Sequence, residues 1–236
     1  MCNATGTYLQ HIKHNMRIID QLLTILTPYE CLGCSNEGNL LCTACIQQLT
    51  PIPERCYRCL IASPDAFTCP NCTALSLLYR LRAASPYSGI AKELVGRLKF
   101  SGAQAAAERM ALCLRSLLES EGKLLIMPVP TASSRVRTRG YDQAKLLARE
   151  LSRQTRLPYL DGIARSGHTH QVGASRERRK QQLHGAFRVT TPRKIQARHI
   201  LLVDDVITTG ATLEAAAKVL RASGAAQVEA VVFCAA

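Results

Sequence analysis

The sequence is poor in aromatic side chains, in acidic residues and in long apolar runs. It has no tryptophan, aromatics make up 5% of its 236 residues, and 17 Asp and Glu stand against 30 Lys and Arg. No stretch approaches the roughly 18 consecutive apolar residues of a membrane-spanning helix, which excludes such a span from the prediction. Residues 1–15 lack the pattern of a secretory signal, so we expect a cytoplasmic protein.

The excess positive charge is concentrated in one segment. Residues 1–80 contain five Lys and Arg and five acidic residues, whereas residues 135–198 contain sixteen and four, a net charge of +12. This asymmetry predicts a polyanionic partner, either a pyrophosphate, a nucleic acid or both, with a solvated basic surface as the alternative. Few aromatic residues are placed to stack on bases, so nucleic-acid contacts would be made mostly to phosphates.

Cysteine, by contrast, is abundant and regularly spaced. Eight of the eleven cysteines form Cys-x-x-Cys pairs, namely Cys31 with Cys34, Cys42 with Cys45, Cys56 with Cys59, and Cys69 with Cys72. Two thiolates at this spacing can bind one tetrahedral metal ion, and two pairs complete a four-sulfur zinc site. Disulfides fit poorly with a cytoplasmic chain. The pattern therefore predicts one or two structural zinc ions that supply folding energy.

Two arrangements of these pairs use the same eight ligands. Consecutive pairing joins the first two pairs in one site and the last two in another, whereas interleaved pairing gives a cross-braced arrangement. We favour consecutive pairing, because Cys56 to Cys72 has the pattern of a zinc-ribbon hairpin and Cys42 to Leu49 that of a knuckle that opens a short helix.

A second pattern lies near the end of the chain. Residues 200–203 are apolar and predict a strand, two Asp follow, and a turn rich in Thr and Gly precedes a helical pattern. Such a turn binds phosphate through its amides and the helix dipole. The two acids are suited to bind the hydroxyl groups of a sugar, directly or through Mg²⁺. A ligand that carries both a phosphate and neighbouring sugar hydroxyls is ribose 5-phosphate. The predicted site consists of Asp204, Asp205, Thr208, Thr209, Gly210, Ala211 and Thr212.

The remaining apolar segments alternate between helix and strand patterns. In chain order they predict a helix over residues 87–102, a helix over 103–119, a strand over 124–129, a helix over 142–154, a strand over 200–203, a helix from 213 to near 224 and a strand over 228–233. This order predicts an α/β fold with a parallel sheet flanked by helices. Ligands bind beyond the carboxyl ends of such strands, so the loops after Val129 and Val203 should share one edge.

Two basic segments near this edge are further candidates. Arg135, Arg137 and Arg139 follow the strand that ends at Val129, and a guanidinium matches the geometry of a pyrophosphate. Residues 165–187 form a long irregular connection, which is typical of a lid or a binding loop. Its basic residues would close over substrate or contact nucleic-acid phosphates, and they are Arg165, Arg176, Arg178, Arg179 and Lys180.

The same patterns predict the domain organisation. We expect a flexible leader over residues 1–15, with Met16 as an alternative start to Met1. An N-terminal amphipathic helix over residues 18–26 and the small cysteine-rich zinc-ribbon module would occupy residues 16–80. The α/β domain would occupy residues 81–236.

The acidic and Thr-rich pattern resembles the phosphoribosyl-pyrophosphate (PRPP) motif of type I phosphoribosyltransferases. The order of motifs along the chain narrows the resemblance. The four cysteine pairs precede Leu98-Lys-Phe100-x-Gly102, Pro128-Val-Pro130, Arg139-Gly-Tyr-Asp-Gln-Ala144, Arg165…Gln171…Arg179 and Gly185-Ala-Phe187. From about residue 16 to residue 235, this order is similar to the ComF (competence protein F, also GntX-like) family, in which a zinc module is fused to a type I phosphoribosyltransferase-like domain.

The resemblance implies both a ligand and a role. It implies that the paired acids contact the ribose hydroxyls of PRPP, that the Thr and Gly loop holds its 5-phosphate, and that Mg²⁺ accompanies it. It further implies action on internalised single-stranded DNA during natural competence, alongside a competence helicase. Two hypotheses follow: a DNA-processing factor that binds PRPP, or a catalytically active phosphoribosyltransferase with an unknown acceptor.

Overall fold

The structure, a computed structural model, describes residues 28–100, 103–118, 123–166 and 186–236. The predicted leader, the predicted helix over residues 18–26 and the alternative start Met16 lie outside these residues. Contacts divide the chain into two compact units, with the division between Gln47 and Gln48. The unit that begins at Gln48 contains the last two cysteine pairs as well as the sheet. The boundary between residues 80 and 81 stays a prediction.

The first unit is built around the first two cysteine pairs. A tight turn follows Cys31, whose amide donates to Asn36 O at 2.9 Å, and helix α1 spans Thr43–Gln47. Among the described residues of this unit, the buried hydrophobic side chains are Cys31, Leu40, Leu41 and Cys45. So small a unit needs more than a hydrophobic core to hold its shape.

The second unit is organised around a four-stranded sheet. Its strands lie in the order β1-β6-β5-β2, and all neighbouring strands are parallel. A separate antiparallel pair, β3 with β4, flanks the connection over residues 167–185. The strands are β1 (Leu81–Pro86), β2 (Leu124–Pro128), β3 (Ile163–Arg165), β4 (Phe187–Val189), β5 (His199–Ile207) and β6 (Gln227–Ala235).

Helices cover this sheet. Within the described residues of the second unit they are α2 (Pro70–Thr73), α3 (Gly89–Phe100), α4 (Ala103–Arg115), α5 (Ser133–Arg139), α6 (Gln143–Thr155), α7 (Pro192–Ile195) and α8 (Ala211–Ala222). Helix α6 packs on α4, β2 and β5. Helix α8 buries Leu213, Ala216, Ala217 and Leu220 at helical spacing, and they cluster with alternate residues of β5 and β6. None of the helices in the described ranges is long and apolar enough to cross a membrane.

Three elements differ from the sequence predictions. Strand β5 continues through both Asp residues to Ile207, because β6 supplies pairing partners as far as Ala235. Residues 81–86, to which the sequence analysis assigned no helix or strand, form the edge strand β1, whose pairing with β6 compensates for a weak apolar alternation. The turn expected after Val129 contains helix α5. This helix buries no residue, so it leaves no apolar period in the sequence.

Candidate phosphate-binding site and cysteine metal centres

The loop between β5 and α8 lies at the carboxyl edge of the sheet. Gly210 precedes the first residue of α8 with φ of 74°, in the left-handed region that favours glycine. A small cavity of about 40 Å³ opens here. Its lining includes Asp204 and all five predicted loop residues, 208–212. The structure therefore brings the predicted phosphate loop and the first acid of the pair together around one cavity.

Several backbone amides of this loop are available to donate hydrogen bonds to a ligand. Within the described part of the chain, the amides of Thr208, Thr209 and Gly210 donate to no backbone carbonyl. The amide of Ala211 faces the hydroxyl oxygen of Thr209 at 3.4 Å, a long contact. Unpaired amides at the N-terminus of a 12-residue helix attract an anion through their hydrogens and through the helix dipole.

The two acids at the loop differ in their surroundings. Burial, and next the Asp205 carboxylate, raise the pKa of Asp204 well above its ordinary value. Asp205 instead has a counter-ion, because Lys99 Nζ lies 3.1 Å from its Oδ2. The pair therefore combines an acid that resists ionisation with one whose charge is balanced by a neighbouring helix. A ligand with hydroxyl groups, or a cation, could therefore contact both carboxyl groups at the same place.

Lys99 is a contributor that the sequence predictions missed. It is the next-to-last residue of α3, and no local pattern distinguishes it from the neighbouring basic residue Arg97. The signal that existed was its place in the Leu98-Lys-Phe100 motif, to which the sequence analysis assigned no role. Only the approach of α3 to the end of β5 reveals the contact.

The predicted arginine cluster is only partly assembled. Arg135 and Arg137 are exposed on α5. Arg139 packs its guanidinium over the Phe100 ring, 5.5 Å from the centroid, and its Nη1 is buried without a hydrogen-bond partner among the described residues. An unpartnered buried guanidinium nitrogen has a donor available for an anion.

Arg165 joins this cluster from β3. Its Nε donates to Pro130 O at 2.9 Å, and its guanidinium lies 5.1 Å from the Phe187 ring centroid. Burial lowers the pKa of Arg165, nearby Arg135 lowers it further, and Asp204 opposes both. The charge of Arg165 therefore interacts with that of Asp204 and with that of Arg135 on α5. The other basic candidates, Arg176, Arg178, Arg179 and Lys180, lie outside the described residues.

The eight paired cysteines form two groups, Cys31, Cys34, Cys42 and Cys45, and then Cys56, Cys59, Cys69 and Cys72. Within each group the sulfur atoms all lie within 4.8 Å of one another. Cys34 and Cys42 Sγ are 3.8 Å apart, and Cys59 and Cys69 Sγ are 3.5 Å apart. A tetrahedral zinc ion with Zn–S bonds of about 2.3 Å separates its sulfurs by about 3.8 Å, so both groups fit this ion. The grouping is the consecutive one.

Each group also contains a thiol that ionises easily. Burial raises the pKa of Cys31, but the amides of Cys42, Gly33 and Cys34 together outweigh it and lower the pKa to about 6. The same balance, with amides of Cys69, Cys59 and Arg58, lowers the pKa of Cys56 to about 6. Metal ligands must be thiolates, so one sulfur in each group is prepared for metal at neutral pH.

Known proteins are similar to this chain over most of its length. A family model described as the phosphoribosyl transferase domain matches residues 136–236. Competence protein F of Haemophilus influenzae is 32% identical over 219 residues, which cover 85% of this chain and 94% of the relative. DNA utilization protein YhgH of Escherichia coli strain K12 is 31% identical over 213 residues, which cover 86% and 88%. A solved adenine phosphoribosyltransferase from Thermoanaerobacter pseudethanolicus is 13% identical, covers 56% of this chain and 80% of that chain, and has a TM-score of 0.37.

Proposed function

Because this chain belongs to the competence protein F family, we propose that it binds PRPP with Mg²⁺ and acts on internalised single-stranded DNA during natural transformation. The sequence-based family resemblance and the fold class, a phosphoribosyltransferase-like parallel sheet flanked by helices, are confirmed. The single observation that carries the ligand proposal is the cavity that Asp204 shares with the loop over residues 208–212.

In this proposal the loop binds the 5-phosphate. The unpaired amides of Thr208, Thr209 and Gly210 donate to phosphate oxygens, and the hydroxyl groups of Thr208, Thr209 and Thr212 add further donors. Gly210 adopts the left-handed backbone conformation that this turn requires, since it carries no Cβ. The N-terminus of α8 contributes the favourable end of its dipole.

The paired acids would bind the ribose. Asp204 and Asp205 accept hydrogen bonds from the two ribose hydroxyls, directly or through Mg²⁺, for which carboxylates are preferred ligands. When bound, Mg²⁺ supplies positive charge that balances the pyrophosphate. Lys99 forms an ion pair with Asp205. When the ligand binds, Lys99 would release Asp205 and contact the ligand instead.

The arginines would bind the pyrophosphate. Arg139 has a buried unpartnered Nη1, Arg135 is exposed on the same helix, and Arg165 lies near Asp204. One guanidinium group can bind two phosphate oxygens at once. Several arginines at the carboxyl edge of the sheet would therefore favour a ligand with more than one phosphate group over a monophosphate. The proposal extends to Arg137 on the exposed side of α5.

The basic surface supports the DNA part of the proposal. Several cationic residues of the segment over 135–198 are exposed in the structure: Arg135, Arg137, Arg149, Arg153, Arg156, Arg188, Arg193, Lys194 and Arg198. Binding through such charges would be strongly salt-dependent and little dependent on sequence. Arg176, Arg178, Arg179 and Lys180 would add to it, and a competence helicase is the proposed protein partner.

The cysteine groups would bind zinc. Their sulfur spacing fits tetrahedral zinc, and among the described residues the buried cluster within the second group consists of cysteines alone. We propose one zinc ion per group, that is, two per chain. Zinc would order the turns that carry the ligands, as in other small metal-dependent modules.

A calorimetric titration of the zinc-loaded protein with PRPP and Mg²⁺ tests the ligand proposal. The matched variant is Asp204→Asn/Asp205→Asn, which keeps side-chain shape and removes both charges. Binding to the parent that is lost in the variant supports the pocket. No binding to a folded, zinc-loaded parent contradicts it.

A transferase acting on an unknown acceptor is the second candidate function. The position of Arg165 favours it: Arg165 lies on β3 beside Pro130, its charge interacts with those of Arg135 and Asp204, and positive charge there would stabilise a departing pyrophosphate. Pyrophosphate release from PRPP, measured with and without single-stranded DNA, separates the two candidates. Release abolished by Asp204→Asn/Asp205→Asn would support catalysis, whereas retained DNA binding in the same variant would show that DNA contacts are separate.

A further inference from the structure

The second cysteine group lies against the proposed phosphate loop. Tyr57 is in the turn between Cys56 and Cys59, and its ring packs on Gly210. A Cβ added to Gly210 would lie 3.0 Å from Tyr57 Cε2 and 3.3 Å from Cδ2. A side chain at position 210 would have to displace the ring by a few tenths of an ångström, so the ring packs closely on the loop where phosphate would bind.

A carboxylate on the following helix ties the same two elements together. Glu214, in the first turn of α8, accepts from the Tyr57 hydroxyl, and Arg58 Nη1 lies 3.2 Å from the same oxygen, Oε1. Its other oxygen, Oε2, accepts from the amide of Leu77 at 3.1 Å. Both oxygens of Glu214 are therefore used, one by the turn between Cys56 and Cys59 and the other by the segment that follows Cys72.

Glu214 is also linked to the loop through the backbone. Its amide donates to Gly210 O at 2.9 Å, so its position and that of Gly210 are fixed together. A carboxylate at this end of a phosphate-binding helix adds negative charge where an anion is to bind. Glu214 is thus electrostatically unfavourable for phosphate, and its contacts with Tyr57, Arg58 and Leu77 offer a structural reason for its presence.

On the side of the sheet, the turn that holds Tyr57 is anchored by the Tyr57 ring, which packs against the main core, and by its hydroxyl, which lies 2.7 Å from Ser76 Oγ. On the side of the cysteines, less apolar packing orders it. The buried side chains that cluster within the second group are only Cys56, Cys69 and Cys72 among the described residues. Two backbone hydrogen bonds close the turn, from Leu60 N to Cys56 O and from Cys56 N to Ile61 O. A bound metal ion would join this turn to α2, and thereby fix the position of Tyr57.

We propose that zinc binding at Cys56, Cys59, Cys69 and Cys72 holds the loop over residues 208–212 in its phosphate-binding conformation, with Tyr57 and Glu214 as positioning residues. This inference rests on the proposed function for its ligand, although the link between the metal group and the loop does not. Without zinc, the loop populates other conformations, and the apparent affinity falls in proportion to the competent fraction.

The experiment compares full-length parent with Cys59→Ser/Cys69→Ser, which disables the second group, and Cys34→Ser/Cys42→Ser, which disables the first. Zinc content is measured for each. Amide hydrogen exchange over residues 208–214 is followed without ligand, and PRPP affinity with Mg²⁺ is measured by calorimetry. We expect loss of the second group alone to accelerate exchange in the loop and to weaken PRPP binding about tenfold, the value for a loop that is competent about a tenth of the time. Exchange over residues 124–128 should stay slow in both variants, because β2 is held by its pairing with β5 and by helix α6.

The Glu214→Gln variant is a more direct test of the coupling, because it leaves all eight cysteine ligands in place. Simple electrostatics predicts tighter phosphate binding when this negative charge is removed. The coupling predicts faster loop exchange and weaker binding, because an amide has one acceptor oxygen where the carboxylate has two. Unchanged exchange with equal or tighter binding, at full zinc content, overturns the inference.

The two proposals fail in distinguishable ways. If the zinc-loaded parent does not bind PRPP, the proposed ligand is wrong, and loop exchange in the ligand-free variants still decides whether the metal group positions the loop. If the parent binds PRPP and loss of the second group changes neither exchange nor affinity, the coupling is wrong and the pocket stands.

Discussion

Lys99 Nζ and Asp205 Oδ2 lie 3.1 Å apart, and this ion pair joins the end of α3 to the end of β5. Both side chains are mostly buried, at 23% and 15% exposure, so the pair is less screened by solvent than a surface ion pair. Lys99 balances one of two adjacent carboxyl groups at the centre of the candidate site. The ligand-free site is therefore stabilised by a residue outside the acidic motif.

Replacing Lys99 by Met should destabilise the ligand-free protein. The substitution leaves Asp205 largely buried without its counter-ion, which costs about 1–2 kcal/mol in the free energy of unfolding. Urea denaturation measures this loss. Arg97→Met is the matched control, because it removes a positive charge from the exposed face of the same helix. Equal losses in the two variants would show that the ion pair contributes nothing specific.

Replacing Asp204 by Asn should stabilise the ligand-free protein above acidic pH. Burial raises the pKa of Asp204 in the folded protein, so the protonated form contributes stability that is full below the ordinary Asp value of 3.8. That contribution is lost as pH rises through the raised pKa. Asn stays neutral at every pH, so its advantage over the parent should grow as pH rises from 3.8 through the raised pKa of Asp204 and then level off.

Thermal denaturation of parent and Asp204→Asn at matched pH values from about 4 to 8.5, a range that begins at the ordinary Asp value, checks this dependence. Taking the difference at each pH removes effects common to both proteins, such as thiol ionisation at the cysteine groups. An Asn variant that is less stable than the parent throughout, or a difference that does not change with pH, contradicts the prediction. PRPP binding should be weakened by the same substitution under the proposed function.

Replacing Gly210 by Ala should destabilise the loop between β5 and α8. Gly210 has φ of 74°, and an added Cβ would lie 3.0 Å from the Tyr57 ring, so backbone strain and crowding combine. We expect a loss of about 1–2 kcal/mol in unfolding free energy, measured by denaturant titration, together with weaker PRPP binding.

Gly96→Ala is the control for this substitution. Gly96 lies within helix α3, and a Cβ there meets nothing within 4 Å. Alanine should therefore stabilise the protein by about 0.5–1 kcal/mol through helix propensity. Similar losses in the two variants would refute the special role of Gly210.

Zinc stoichiometry should follow the consecutive grouping of cysteines. We expect two zinc ions per chain in the parent, and one in Cys34→Ser/Cys42→Ser, because both substitutions fall in one group. Cys34→Ser/Cys59→Ser removes one ligand from each group and should reduce zinc at both. In a cross-braced arrangement the first variant would also damage both sites. Metal analysis of the purified variants distinguishes these outcomes.

The local motifs were readable from the sequence because each is compact along the chain. Cys-x-x-Cys spacing restricts which sulfurs can meet on one metal, and Thr208 to Thr212 form a continuous turn before a helix of clear apolar period. The parallel sheet also followed from alternating strand and helix patterns. These features depend on neighbours in sequence, so a single chain displays them.

Tertiary structure decided the features that depend on distant segments. Strand β1 exists because β6 offers it a pairing edge, and helix α5 buries no side chain, so neither has a strong local pattern. The contacts of Lys99 with Asp205 and of Tyr57 with Glu214 join residues far apart in the chain. The sequence by itself determined which chemical groups are present and how they are spaced locally. Which of these groups meet was determined by the packing of α3 and of the second cysteine group around β5 and α8. The reason is that contacts between distant segments of the chain form only when the sheet and its helices have folded.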